Sequence, residues 1–576
     1  MEREMTEIER KYRMSGRISL SKLIEYLPAT LLTSFSSLLL QSVDGIVVGN
    51  FVSDDALSSV SIFSPVAFIA GIVSVLVANG ISTCLSVAAG ENDRKKIGRI
   101  KAASRVLMAV AAIAIVVLQT AGATIIISTY GLPENMRQMV WQYAIGMILS
   151  APFGFISTVG VYQLQVIGKM KLLARLAVME GVLNLVLDVV FVKFLGMGTA
   201  GVGFGTAGAT ITRCVVTMVV VMRSTDLFKI GDIRPEISAM KEILRTGLPN
   251  AANVAMQTLQ SYLMIMILIR GFGPDAGIVL AVCSFCYSLY GVLSAGVTGS
   301  MRPLVGLMTG AEDVVGLKLL IRQGMAVMEL LVALLAGAIV IVPHVFYRIY
   351  NVSAIPDGGV TALRIYAVYF LVSGVNEVLR LFMVNQKDTG FASAMPAVRT
   401  AVRLSSAWLF GVFLPAPFIW LAYPLGEGLE CLLNAARYRR LTRAKADDGD
   451  DARILYLSVR PSEAVDASRM LRSYADDKGY PKKISYRIGL AMEEIVAYAK
   501  QAHEGAEVET QIVVRLARDR GVFLVIDNGI KIVLDEDAEK AELVTDNYNL
   551  LRKLANSMEH QYLLNMNLTK LEFLAA

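Results

Sequence analysis

LLLQSVDGIVVGNFVSDDALSSVSIFSPV, residues 38–66, closes one long apolar run and opens another across a short acidic turn. A bilayer core of about 30 Å takes about 20 apolar residues per helix. The stretch therefore reads as the end of one membrane span, a polar turn at Ser53–Asp55 and the start of a second. The same ruler predicts twelve spans, at 24–49, 58–88, 100–128, 136–166, 172–194, 199–222, 242–270, 277–300, 317–347, 359–385, 392–413 and 415–437. DDALSSVSIFSPV, around Asp55 and Ala56, is echoed 220 residues later by PDAGIVLAVCSFC around Asp275 and Ala276. The same offset carries Gly90, opening GENDRKK, onto Gly310, opening GAEDVVGLK. Two six-helix halves of like orientation follow, because six is even; such halves rock against each other around a midplane site.

The bulk numbers agree with a membrane protein. Of 576 residues 55% are hydrophobic and 18% charged, with a mean hydropathy of +0.55. That balance excludes an ordinary cytosolic domain of this size. The net charge of +6 does not point to nucleic acid, because its Lys and Arg sit in short loops between apolar runs. ENDRKKIGRIK near 91, GKMKLLAR near 168, RSTDLFKIGDIRPE near 223 and RYRRLTRAK near 437 fall on one side. NFVSDDA, TYGLPEN, LGMGTA, GFGPDA, NVSAIPDGG and LPAP, nearly free of Lys and Arg, fall on the other. The positive-inside rule puts the basic loops and both termini in the cytoplasm of a plasma-membrane protein.

The chain thus divides into a cytoplasmic tail at 1–22, an N-lobe at 23–222 and an inter-lobe loop at 223–240. A C-lobe at 241–440, a charged linker at 441–451 and a soluble domain at 452–576 complete it. The tail MEREMTEIERKYRMSGRISLSKL has charges of both signs and no small-residue cleavage site, so it reads as retained. The five cysteines lie in or beside apolar stretches. Cys283 and Cys286 form a lone CxxC without His or a second pair, which reads as two small buried apolar residues.

An ionisable group inside a span costs about 2.5 kcal/mol or more, so each is a functional candidate. Asp44 lies in the first span and Asp188 in the fifth. Glu180, Asn184 and Asp188 follow one another at i, i+4 and i+8 and so line one helical face. Carboxylates with an amide oxygen suit a proton, taken by a buried carboxyl, or sodium, held by hard oxygens. Near the membrane surface the same acids serve merely as caps beside Gly45 or Lys193.

At this point a resemblance can be named. The opening stretch resembles the first two helices of MATE (multidrug and toxin extrusion) transporters, and NLVLDVVFVKFLGMGTAGVGFGTAGATI, residues 184–211, resembles their fifth and sixth. Likeness runs over about 20–437, including GLPNAANVAMQ at 247–257 and GSMRPLVGLMTGAED at 299–313. The resemblance implies an all-α fold of two six-helix halves and a cation or proton site at Asp44, Asn184, Asp188 and Thr206. The branch that keeps an acid in the seventh helix is matched here only by Gln257 and Gln260. Glu377 is a further candidate for the substrate pathway, although Arg380 one turn on offers it a plain ion pair.

Residues 452–576 read as an α+β domain. A strand ILYLSV, helices at 464–477 and 484–501, strands TQIVVRLA and VFLVIDNG, a helix at 548–558 and a closing LTKLEFL succeed one another. IGLAMEEIVAYAKQA, GVFLVIDNGI and NLLRKLANSMEHQYLLNMN resemble the histidine-kinase-like (GHKL, Bergerat-type) ATPases, especially the anti-sigma-factor kinases. Glu494 and Asp527 match the general base and the adenine-reading Asp that this resemblance implies. Tyr498 stands where a magnesium-holding Asn is expected, and in the D-x-G-x-G word Gly529 is kept but Lys531 replaces the second Gly. Asn547 and Asn549 replace the glycines of the phosphate cradle. The domain is therefore expected to regulate or to bind a protein partner, without ATP turnover.

The chain is expected to be a secondary active antiporter, not an enzyme. It would export small cationic or amphipathic organic compounds, with H+ or Na+ as coupling ion and no cofactor for transport. A membrane-tethered sensor whose tail binds a regulator is the second reading. A lipid-linked sugar flippase is the third; it lacks a basic stripe within the spans, where Arg403 stands alone.

Overall fold

The computed structural model describes residues 17–224, 234–272, 274–349, 355–447, 453–459, 461–477, 479–502, 510–516, 520–527 and 545–574. The first half holds helices α1 (Arg17–Phe51), α2 (Asp54–Glu91), α3 (Arg94–Thr129), α4 (Glu134–Ile167), α5 (Met170–Val189) and α6 (Gly198–Ser224). The second holds α7 (Ile237–Phe272), α8 (Pro274–Gly310), α9 (Val314–Ile341), α10 (Gly359–Asn385), α11 (Thr389–Phe413) and α12 (Ala422–Asp447), with a short helix Pro343–Ile349 after α9. Among the described residues nine of these are long and apolar enough to cross a membrane. The three that fall short, α5, α11 and α12, each bury two charged side chains: Glu180 and Asp188, Arg399 and Arg403, Glu427 and Glu430. Elsewhere the helix surfaces expose apolar side chains such as Ile113, Leu330 and Leu334, each more than 60% exposed, as a lipid-facing belt requires.

The 220-residue repeat is visible atom by atom at one end of the bundle. Asn92 and Glu312 both take left-handed φ, 55° and 57°. Each is followed by an aspartate that caps the next helix: Asp93 accepts from the Lys96 N–H at 2.9 Å, and Asp313 from the Gly316 N–H at 2.7 Å. Gly90 and Gly310 let the halves touch reciprocally. A methyl group on Gly90 would lie 2.1 Å from the Leu307 carbonyl oxygen, and one on Gly310 2.0 Å from that of Val87. Val87 and Leu307 are themselves 220 residues apart. The halves meet through α1 against α8 and α2 against both α7 and α8.

The C-terminal unit is one antiparallel sheet, order β1-β2-β3-β5-β4, of β1 (Arg453–Val459), β2 (Thr510–Leu516), β3 (Arg520–Asp527), β4 (Ser557–Leu563) and β5 (Met566–Leu574). Helices α13 (Ala464–Asp477), α14 (Lys482–Ala502) and α15 (Thr545–Leu554) accompany it. Period-two alternation serves both faces. Ile512, Val514, Phe523, Val525, Leu571 and Phe573 pack with α13, α14 and α15, whereas Val513, Leu524, Ile526 and Leu568 join the same apolar cluster as the helix bundle.

Several expected boundaries move. The last helix ends at Leu554, and Ser557–Leu563 is a strand rather than its continuation to 558. The β4–β5 turn is made by Leu564 and Asn565, both with positive φ (56° and 55°), so no glycine marks it in the sequence. The ninth helix stops at Ile341, before Pro343. The twelfth starts at Ala422 after a 3-10 turn and continues to Asp447, through most of the expected linker. Residues 1–16 of the tail and 225–233 of the inter-lobe loop lie outside the described residues.

Candidate functional site

Asp44, Asn184, Asp188 and Thr206 come from three helices and meet in the N-lobe. Asp44 projects from α1 and is 6% exposed; Asn184 and Asp188 project from α5 and are fully buried. Asn184 Nδ2 donates to Thr206 Oγ1 at 3.0 Å and approaches Asp188 Oδ1 at 3.5 Å. The Thr206 hydroxyl in turn donates to Asp44, with its oxygen 3.2 Å from Oδ1 and 3.3 Å from Oδ2. Two carboxylates of distant helices are thus joined through one amide and one hydroxyl.

The surrounding backbone is fitted to this contact. A methyl group on Gly205 would lie 2.0 Å from Asp188 Oδ1, so only a glycine lets α6 lie against that carboxylate. Immediately after α5, Val190–Phe194 form a π-helical turn, a local widening that recurs at functional sites. Asp188 Oδ2 and Asn184 Oδ1 make no hydrogen bond among the described residues. Burying such oxygens without partners is costly, which is the condition for taking up a proton or a small cation.

Sequence reasoning missed Tyr143. Its hydroxyl donates to Asp44 Oδ2 at 2.8 Å from α4, and its ring packs edge-on against Phe63 at 5.7 Å between centroids. A buried tyrosine hydroxyl needs a partner, but nothing in the surrounding YAIGM sequence names which. Glu180, placed on the same face of α5, is drawn instead into an ion pair with Arg213 of α6.

The C-lobe holds a second buried polar network, of which the sequence reading named Gln260, Glu377, Arg380 and Arg403 but not Arg399, Glu427 or Glu430. Arg399 and Arg403, one turn apart on α11, face Glu427 and Glu430, again one turn apart, on α12. Arg403 donates to Glu427 at 3.0 Å and to Gln260 of α7 at 2.7 Å, and its guanidinium lies over the rings of Tyr369 and Tyr423. Arg399 donates to Asn253 at 2.8 Å. Asn376 donates to Glu427 at 2.7 Å and accepts from Asn434 at 3.0 Å. Glu377 pairs with Arg380 on α10. Gln257, one turn from Gln260, is half-buried. Arg403 is therefore not alone, but Arg380, Arg399 and Arg403 are each ion-paired to a glutamate.

In the C-terminal unit Glu494 stands half-buried on α14, its carboxyl raised by burial and then by Glu493. Asp527 ends β3 and accepts from Asn567 at 2.8 Å. Gly529 and Lys531 lie outside the described residues, as do the side chains of Tyr498, Asn547 and Asn549. Cys283 and Cys286 are both fully buried in apolar surroundings.

The MatE family model matches residues 29–190. The probable multidrug resistance protein YoeA of Bacillus subtilis (strain 168) is 23% identical over 441 residues, covering 70% of this chain and 91% of its own. A crystal structure of MATE in the bent conformation superposes with a TM-score of 0.69 at 18% identity, over 75% of this chain and 98% of the other. A MOP-superfamily transporter of Pyrococcus furiosus, described as having a binding pocket of reversed polarity, superposes with a TM-score of 0.68 at 17% identity, over 74% and 96%. The fold is that of MATE transporters. With its long apolar helices the chain is a multi-pass membrane transporter.

Proposed function

We propose that this chain is a secondary active antiporter that exports small cationic or amphipathic organic compounds by alternating access. The reading rests on the Asp44–Thr206–Asn184–Asp188 contact, which joins α1 to α5 and α6 through groups able to hold a cation. A proton arriving on either carboxylate, or sodium drawn by Asp188 Oδ2 and Asn184 Oδ1, cancels one negative charge of the cluster and alters how α1 sits against its neighbours. One such ion moving down 100 mV releases about 2.3 kcal/mol, before its concentration gradient is counted. In this reading all twelve long helices span the plasma membrane. The loops at Asn92 and Glu312 and the C-terminal domain then face the cytoplasm, in line with their basic neighbours.

Everted membrane vesicles preloaded with a proton or a sodium gradient test it. Dye movement should follow one of the two gradients and fall at least tenfold in Asp188→Asn. Unchanged gradient-driven movement in that variant removes Asp188 from the mechanism. Ligand binding without net transport under either gradient would instead favour the sensor.

The paired arginines of the C-lobe argue against the flippase reading, since a pyrophosphate would have to displace Glu427 from them. The C-terminal domain is read as a degenerate ATPase-like regulator. The purified full-length protein should then show no magnesium-dependent ATP hydrolysis; turnover that disappears in Glu494→Gln would overturn this.

A further inference from the structure

The C-terminal sheet does not hang free of the bundle. From the N-lobe, the Asn92 side chain donates to Glu559 of β4 at 3.2 Å, and the Ala89 carbonyl accepts from Gln561 at 2.6 Å. Tyr26 of α1 donates its buried hydroxyl to the Leu564 carbonyl at the β4–β5 turn. That turn also touches Gly168, where an added methyl group would lie 2.8 Å from the Leu564 Cα. From the C-lobe, Glu312 pairs with Arg515 of β2 at 2.5 Å. Asn92 and Glu312 are the two repeat-related residues that begin the corresponding loops of the halves. One rigid sheet thus holds both loops, at the end where Gly90 and Gly310 bring the halves into contact.

We propose that this domain is a bolt across the two lobes, and that opening of the transporter toward this end requires the sheet to leave the Asn92 and Glu312 loops. Separation of the lobes moves these loops apart, and a sheet attached to both resists that motion. The attachment is part apolar and part polar. Its apolar part includes Val513, Leu524, Ile526, Leu563, Leu564 and Leu568, while the Arg515–Glu312 pair is solvent-exposed. A cavity of about 200 Å³ between the sheet and the loops, lined by Glu91, Glu312, Arg515, Arg520 and Lys570, leaves part of the contact unpacked.

The inference rests on the alternating-access reading, so its test uses a readout independent of substrate and ion. Cys84 of α2 is 5% exposed and sits 3.6 Å from Thr246 of α7, across the boundary between the lobes at this same end. With the other four cysteines replaced by alanine, the rate of maleimide labelling of Cys84 in the full-length protein reports lobe separation. Arg515→Glu should raise that rate at least threefold, and the exchanged pair Arg515→Glu with Glu312→Arg should restore it. Gln561→Ala, on the N-lobe side of the contact, should raise it as well. Unaltered labelling in both single variants overturns the bolt, as does a rise in Arg515→Glu that the exchanged pair fails to reverse. Faster labelling in a protein that shows no gradient-driven efflux would keep the bolt and remove the antiporter.

Discussion

The Thr206 hydroxyl of α6 hydrogen-bonds to the Asp44 carboxylate of α1, across 162 residues of sequence, while accepting from Asn184. Its position makes it the relay by which a charge change at one carboxylate is felt at the other. Thr206→Val keeps shape and removes the hydroxyl, at a local cost of about 1.5–3 kcal/mol for a hydrogen bond to a charged group. The variant should remain folded in detergent and lose at least tenfold in gradient-driven efflux, whereas Thr206→Ser should retain most of it. Equal efflux from the valine and serine variants would show that the relay has no part in coupling.

Gly205 supplies a steric test of the same site. In Gly205→Ala the new methyl group and Asp188 Oδ1 compete for one position, so either α6 moves outward or the carboxylate turns away. Overpacking of this kind costs typically 1–3 kcal/mol. A fall in melting temperature together with lost efflux is expected. Gly181→Ala, on the same lobe and with open space around it, should change neither.

How far these contacts could be read from sequence depends on what kind of residue makes them. Asp44 and Asp188 stand out because a carboxylate inside an apolar run has no cheap explanation. The repeat stands out because Gly90 and Gly310 are needed where two backbones touch. Tyr143 does not, since a tyrosine in a membrane helix is ordinary until its hydroxyl is seen to face Asp44. Arg399, Glu427 and Glu430 lie inside the expected spans 392–413 and 415–437 and carry the same signal as Asp188. What the sequence does not show is that they pair with one another across α11 and α12. The strand at Ser557–Leu563 follows a helix directly and turns on Leu564 and Asn565, so neither glycine nor proline announces it.

The Arg403–Glu427 pair should behave as a buried network whose halves cannot be removed singly. Arg403→Met leaves Glu427 facing Arg399 and Asn376 with one donor fewer, and Glu427→Gln leaves Arg403 without its carboxylate. Breaking a buried pair from one side costs about 3–5 kcal/mol, while replacing both partners costs far less. Each single variant should therefore melt markedly lower than the parent, and the double variant should recover much of the loss. Additive losses in the double-mutant cycle would mean that the two side chains are energetically independent despite their 3.0 Å contact.

Asp313 supplies a pH prediction with a definite sign. It lies in the loop between α8 and α9, fully buried, with Oδ1 on the Gly316 N–H and no hydrogen bond at Oδ2 among the described residues. Burial pushes its carboxyl up to about 6, against the pull of the Gly316 N–H. The folded protein therefore holds this proton more tightly than the unfolded chain does. Its contribution to stability is full below about pH 4 and is lost as pH rises through about 6. Two pKa units correspond to roughly 3 kcal/mol, an upper limit for what the charged form costs at neutral pH. Asparagine caps a helix about as well as aspartate and carries no charge. Asp313→Asn should accordingly raise the melting temperature at pH 7.5 and leave it unchanged near pH 4. Asp93→Asn at the exposed repeat-related cap controls for the change of capping group itself. A stabilisation of Asp313→Asn that persists undiminished at pH 4 would show that the gain comes from packing of the amide, not from removal of a buried charge.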